Sequence, residues 1–180
     1  MTLDEFEHAE AAEGYLYELS RGLTVVDVPD PMHGLMTDEI RSQLYAYRSA
    51  HRDVIRFIAA GSDCKILLTI EQSERHPDVA VYKTARPQGD DFWAHWVPEL
   101  VIEIVSPISI HRDYELKPDE YLRFGISEYW IVDGQREEIL VLSRSAGDWK
   151  RRTLKPGEKL TTWVLPGLEL DIAAVFAAAK

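Results

Sequence analysis

Residues 99–107 read Glu-Leu-Val-Ile-Glu-Ile-Val-Ser-Pro, a β-strand with a carboxylate near its middle. Side chains alternate along a strand, so Leu100, Ile102 and Ile104 share one face, and Val101, Glu103 and Val105 share the other. Both faces are otherwise apolar, the pattern of an interior strand covered on each side. Glu103 is then set in or near the core. A carboxylate there is costly unless it is paired, protonated or bound to a metal. Taken alone, Glu103 is more simply a strand-end acid that reaches solvent or a structural arginine.

A second acid weakens that simple reading. The segment His-Pro-Asp-Val-Ala-Val-Tyr-Lys, residues 76–83, puts Asp78 at the start of another strand. Pro77 before it suits a strand beginning or an edge. Aspartate at a strand start is common as a turn or cap residue, so it too is unremarkable by itself. Two acids on neighbouring strands can face one another, however. Two carboxylates with water oxygens make a magnesium-type site, and the ion offsets the burial of both charges.

Lys117 is the third residue of interest. Tyr114, Lys117, Tyr121 and Phe124 are spaced to form one stripe on a helix, which puts a lysine on an aromatic, inward-looking face. Either its stem packs while its amine snorkels to water, or its amine is aimed at a buried anionic site. Pro118 is harmless only in the first helical turn and biases Lys117 away from α conformation. A late helix start or a kink is therefore expected here.

Outward from these residues, the chain of 180 residues suits one domain over 1–180. Residues 3–12 read as a short helix. Residues 15–20 and 23–28 read as a hairpin about Arg21-Gly22. A helix capped by Thr37 is expected to run to about Ala50. Residues 54–60 and 64–70 read as strands joined across Gly61-Ser62-Asp63. Further strands are expected at 78–83 and 99–106, then a helix within 112–124 that ends at Gly125. Strands at 128–133, 138–144 and 149–154 follow, with turns at Gly134 and Gly147. Residues 165–176 read as a strand and a short helix. The fold class is α/β to α+β, a central mixed sheet flanked by helices, with added N-terminal and C-terminal hairpins.

Composition bounds the function. No apolar run approaches membrane-spanning length, and the acidic N-terminus has no signal-peptide core, so a cytoplasmic protein is expected. The single Cys64 excludes an intrachain disulfide and a multi-cysteine zinc site. A net charge of −11 argues against a general polyanion binder, so any nucleic-acid contact must be local or mediated by cations. The densest basic cluster is Arg144, Lys150, Arg151, Arg152, Lys155 and Lys159, with Trp149 among them. Asp148 and Glu158 interrupt it, and a solvated hairpin around one core tryptophan is the better reading.

The runs Pro-Asp-Val-Ala-Val at 77–81, Pro-Glu-Leu-Val-Ile-Glu-Ile-Val-Ser-Pro at 98–107, and the spaced set Asp113, Lys117, Tyr121, Gly125 and Glu128–Asp133 resemble the Uma2 family. The likeness covers about residues 15–172, from Tyr-Glu-Leu-Ser-Arg-Gly at 17–22 to Leu-Pro-Gly-Leu-Glu-Leu-Asp-Ile at 165–172. That family belongs to the PD-(D/E)xK, restriction-endonuclease-like superfamily. The resemblance implies a restriction-endonuclease-like core and a metal-dependent endonuclease acting on nucleic acid, DNA first, with Mg²⁺ or Mn²⁺ as cofactor. It implies Asp78 and Glu103 as metal ligands, and Lys117 as the catalytic lysine. A lysine in the strand would stand at residue 105, which is Val105 here; the matching lysine of this family lies on the following helix. Asp113 also matches and would orient Lys117, and Glu18 and His33 fall at recurrent family positions. By analogy, a homodimer would suit duplex cleavage.

The resulting expectation is that Asp78, Glu103 and the Ile104 carbonyl hold one or two Mg²⁺ ions beside the scissile phosphodiester. Lys117 would position water or stabilise the transition state. The competing reading is a catalytically inactive binding or dimerisation module on the same fold, favoured by the net charge and Pro118 and opposed by the intact trio. A two-carboxylate glycosidase is a third reading, without an independent sign of a sugar cleft.

Overall fold

The computed structural model describes residues 1–27 and 30–180, apart from the side chain of Asp27. Val28, the last residue of the expected second strand, and Pro29 lie outside the described residues. The elements begin with a short helix α1 (Leu3–Glu7), a hairpin of β1 (Leu16–Ser20) and β2 (Leu23–Asp27), and the long helix α2 (Pro31–Ala50). Strands β3 (Phe57–Ala59), β4 (Ile66–Leu68), β5 (Ser73–Arg75), β6 (Val79–Tyr82) and β7 (Leu100–Ile104) follow. A π-helical segment, Arg112–Leu116, runs directly into α3 (Lys117–Phe124). Then come β8 (Glu128–Asp133), β9 (Glu138–Ser145), β10 (Asp148–Leu154), β11 (Lys159–Thr161), β12 (Glu169–Asp171) and α4 (Ile172–Ala177).

The principal sheet has six strands in the order β10-β9-β8-β7-β6-β3. Among the described residues only β7 and β8 pair in parallel, because the helix between them carries the chain back to the same end of the sheet. All other neighbours are antiparallel, so the sheet is mixed as expected. A second sheet, β2-β1-β5-β4, is built on the N-terminal hairpin, and β11 pairs with β12 near the C-terminus. The Arg21-Gly22 turn of that hairpin has φ of 49° and 80°, the doubly left-handed turn whose twist matches two paired strands.

The alternation of β7 is realised in three dimensions. Leu100, Ile102 and Ile104 pack with Ile40 and Leu44 of α2, in a cluster that includes the fully buried Trp130. Val101, on the other face, packs with Tyr121 of α3 and with Tyr129 and Ile131 of β8. Val105 packs against this second cluster.

Four local expectations are corrected. Helix α1 stops at Glu7, because the residues beyond it are exposed and have no apolar face to bury. Helix α2 begins at Pro31, and its cap is Asp30, whose side chain accepts from the Met32 N–H. Proline at the first helical position and aspartate before it are strong start signals. Thr37 is inside that helix, and its hydroxyl donates to the His33 carbonyl. The strands expected at 54–60 and 64–70 are joined across Gly61–Asp63 as read, but they are shorter, Phe57–Ala59 and Ile66–Leu68, and do not pair with each other. The short 3₁₀ turn Gly61–Asp63 sends β3 to the six-stranded sheet and β4 to the four-stranded one. Finally, Lys117 is α-helical, with φ −60° and ψ −36°, despite the proline after it. Its N–H bonds the Arg112 carbonyl five residues back. The widened π turn accommodates Pro118, which has no N–H to offer.

Candidate active site

Asp78 precedes β6, and Val79 pairs with Ile102 of the antiparallel β7. Continuing that register by one residue sets Asp78 opposite Glu103 on the same face of the sheet. The Ile104 N–H donates to Asp78 Oδ2 over 2.7 Å, which pins this carboxylate at the end of β7. His33 Nε2, from the first turn of α2, is 3.0 Å from the same oxygen.

Glu103 is almost fully buried, at 3% exposure. Its Oε1 accepts from the Tyr121 hydroxyl at 2.6 Å and lies 3.0 Å from Lys117 Nζ. The lysine amine also lies 2.9 Å from Asp113 Oδ1, four residues earlier in the chain. Ser109 donates a short hydrogen bond to the other oxygen of Asp113. Lys117 therefore does not snorkel. It is buried, and it ties the helix to the strand through two carboxylates.

Burial pushes the Glu103 carboxyl up to about 8. Lys117 opposes that shift, while Asp78, Asp113 and Glu18 reinforce it. Burial disfavours the charged form of Lys117, but Asp113, Glu103 and Glu18 overcome it and hold the amine well above its ordinary range. Four carboxylates thus act on one another here, with Lys117 against Glu103 and Asp113 and Arg75 against Glu18. That excess of negative charge, with the hard oxygens of Asp78 and Glu103, fits a cation of the Mg²⁺ type. Among the described residues, no group of three or more His, Cys, Asp or Glu side chains is arranged to hold a metal. A cation here would have Asp78 and Glu103 as its protein ligands and would need water for the rest of its shell, as Mg²⁺ commonly does.

The trio opens onto a cavity of about 570 Å³ whose wall includes Asp78, Glu103, Ile104, Asp113 and Lys117. His33 lines the same cavity, whereas Glu18 is buried behind it. Glu18 accepts from the His76 N–H at 2.9 Å and from Arg75 at 3.4 Å. Burial raises its carboxyl, but Lys117, Arg75 and that amide hold it below the usual range. Glu18 is therefore a buried counter-charge, with both oxygens engaged.

Sequence reasoning missed the group that locks this arrangement. Arg75, on β5, is fully buried and bonds Glu120 of α3 at 2.9 and 3.0 Å, as well as Ser20 at 2.9 Å. Glu120 also receives Arg21 at 3.2 Å. The four-stranded sheet is thereby fastened to the helix that carries Lys117. Glu120 lies three residues after Lys117, on the same side of the helix, and that spacing was the available signal.

Part of the basic hairpin is engaged in packing, while Lys150, Arg151 and Lys155 are exposed. Trp149 is buried and donates to the Pro118 carbonyl at 2.9 Å, while Arg144 bonds the carbonyls of Leu122 and Ile126.

A family model, Uma2, described as "Putative restriction endonuclease", matches residues 3–173. Among curated proteins, none matches the chain. A crystal structure from Anabaena variabilis ATCC 29413, described as a "putative nuclease belonging to DUF820", is similar with a TM-score of 0.79 at 18% identity. The match covers 100% of this chain and 99% of that one, and at this identity the likeness is one of fold. Among the described residues, no helix is long and apolar enough to cross a membrane.

Proposed function

The chain belongs to the Uma2 family, and we propose that it is a metal-dependent endonuclease hydrolysing phosphodiester bonds of nucleic acid, with DNA as the first substrate to test. The observation that carries this reading is the convergence of Asp78, Glu103 and Lys117 on one cavity wall. Asp78 and Glu103 would hold Mg²⁺ or Mn²⁺ from adjacent strands. Such an ion supplies Lewis-acid stabilisation of phosphoryl charge and a more acidic bound water. Lys117 holds a proton firmly against Glu103 and Asp113, so it acts as a fixed positive charge and hydrogen-bond donor beside the phosphate rather than as a base. Asp113, steadied by Ser109, orients that amine.

A second reading draws support from the net charge of −11 and from the engagement of Lys117 by two carboxylates: a non-catalytic module on a nuclease fold. Incubation with supercoiled plasmid and with single-stranded DNA and RNA, in Mg²⁺, Mn²⁺ or EDTA, separates the two. Cleavage that EDTA abolishes is expected; intact substrates in every condition would favour the module.

A further inference from the structure

A polyanion entering this cavity meets Asp30, Asp78, Glu103 and Asp113 on its wall. Lys117 is the obvious cation there, yet it is buried and already 2.9–3.0 Å from two carboxylates. Arg112 also lines the cavity and is only half-buried. Its Nη1 makes a long bond of 3.4 Å to the Ile108 carbonyl. Its Nε is buried and has no acceptor among the described residues, and Arg112 forms no ion pair among them. The Nε–Nη2 edge of the guanidinium is thus a fork without a partner. Leaving a buried donor unsatisfied is costly, and a rotation of this half-exposed side chain that uncovers Nε would present the fork to two oxygens of a phosphate. The π-helical turn ties the Arg112 backbone to that of Lys117, because the Arg112 carbonyl accepts the N–H of Lys117 itself.

We propose that Arg112 is the residue that binds a backbone phosphate of the substrate, its guanidinium edge taking two phosphate oxygens at the mouth of the Asp78–Glu103–Lys117 cavity. This rests on the nuclease reading above and gives it a substrate contact. It also accounts for how an acidic chain admits a nucleic acid: the charge that matters is local and unpaired. Arginine suits the role better than lysine, because the planar fork grips two oxygens at once.

The test is fluorescence anisotropy of a short labelled DNA duplex and its single strand, in Ca²⁺, across a range of salt concentrations. Wild type, Arg112→Gln and Arg112→Lys are compared, and circular dichroism melting checks that each is folded. Arg112→Gln should weaken binding about tenfold and reduce the salt slope by about one phosphate contact. Arg112→Lys should keep the slope and lose part of the affinity. If Arg112→Gln fails to fold, Arg112→Lys carries the test by its loss of affinity at an unchanged slope. Wild-type binding with affinities and slopes unaltered in the variants overturns the Arg112 assignment alone. A wild type that binds neither strand form overturns the nuclease reading and this assignment together.

Discussion

Lys117 Nζ and Glu103 Oε1 are 3.0 Å apart, joining the helix after β7 to the middle of that strand. The amine reaches the carboxylate from α3, while Val105, two residues after Glu103, packs against the apolar cluster on that face. Asp113, one helical turn before Lys117, is a second anchor for the amine at 2.9 Å.

Removing that amine should cost stability as well as activity. Lys117→Met leaves Glu103 and Asp113 buried without their cation, a change expected to destabilise the fold by about 3 kcal/mol. Nuclease activity should fall by at least about a hundredfold. Chemical denaturation and plasmid nicking measure the two effects. The double variant Lys117→Met, Glu103→Gln should be more stable than the sum of the single losses, since it removes one stranded charge.

Glu103 gives a pH dependence with a definite sign. Its folded pKa, near 8, lies above its ordinary value of 4.5. Its contribution to stability is therefore fully present below about pH 4.5 and is lost as pH rises through about 8. Metal-free wild type should lose stability relative to Glu103→Gln across that window, read as the difference in melting temperature. A difference that grew in favour of wild type with rising pH would contradict the assignment.

The same proton competes with metal. Affinity for Mn²⁺ should rise with pH by up to about tenfold per unit and level off above about pH 8. Calorimetry in buffers of different ionisation enthalpy should detect proton release on binding near neutral pH. Affinity that does not change with pH would count against Glu103 as a ligand.

Arg75 should matter as much to the fold as any apolar residue. Arg75→Met strands Glu120, which is fully buried, and weakens the hold on Glu18. A loss of about 3–5 kcal/mol is expected, and adding Glu120→Gln should recover part of it. Thermal melting of the single and double variants decides this.

Much of this arrangement was legible in the chain. The alternation about Glu103 revealed a strand covered on both faces, and the helical stripe marked Lys117 as facing inward. Asp78 and Glu103 were recognisable as neighbours through their strands. Other parts were hidden for physical reasons. Strand β5, Ser73–Arg75, reads as a polar loop, because what buries it is ion pairing with residues distant in sequence. The π turn left no periodic trace; Pro118 signalled a disturbance, but not that the helix would widen to absorb it. Residues 54–70 revealed two strands joined at Gly61–Asp63 but not their destinations, because two apolar runs around a glycine look alike whether they pair together or part to different sheets. Arg112 attracted no notice, since an unpaired guanidinium edge is a property of its surroundings.

The most direct measurement is plasmid nicking with Mg²⁺ or Mn²⁺ by wild type and by Asp78→Ala, purified identically. Asp78 is partly exposed and held at the cavity wall by the Ile104 N–H, so its loss should spare the fold while removing a ligand. The account predicts metal-dependent nicking by wild type and its loss in Asp78→Ala. Equal nicking by both proteins, or none by either, would contradict it.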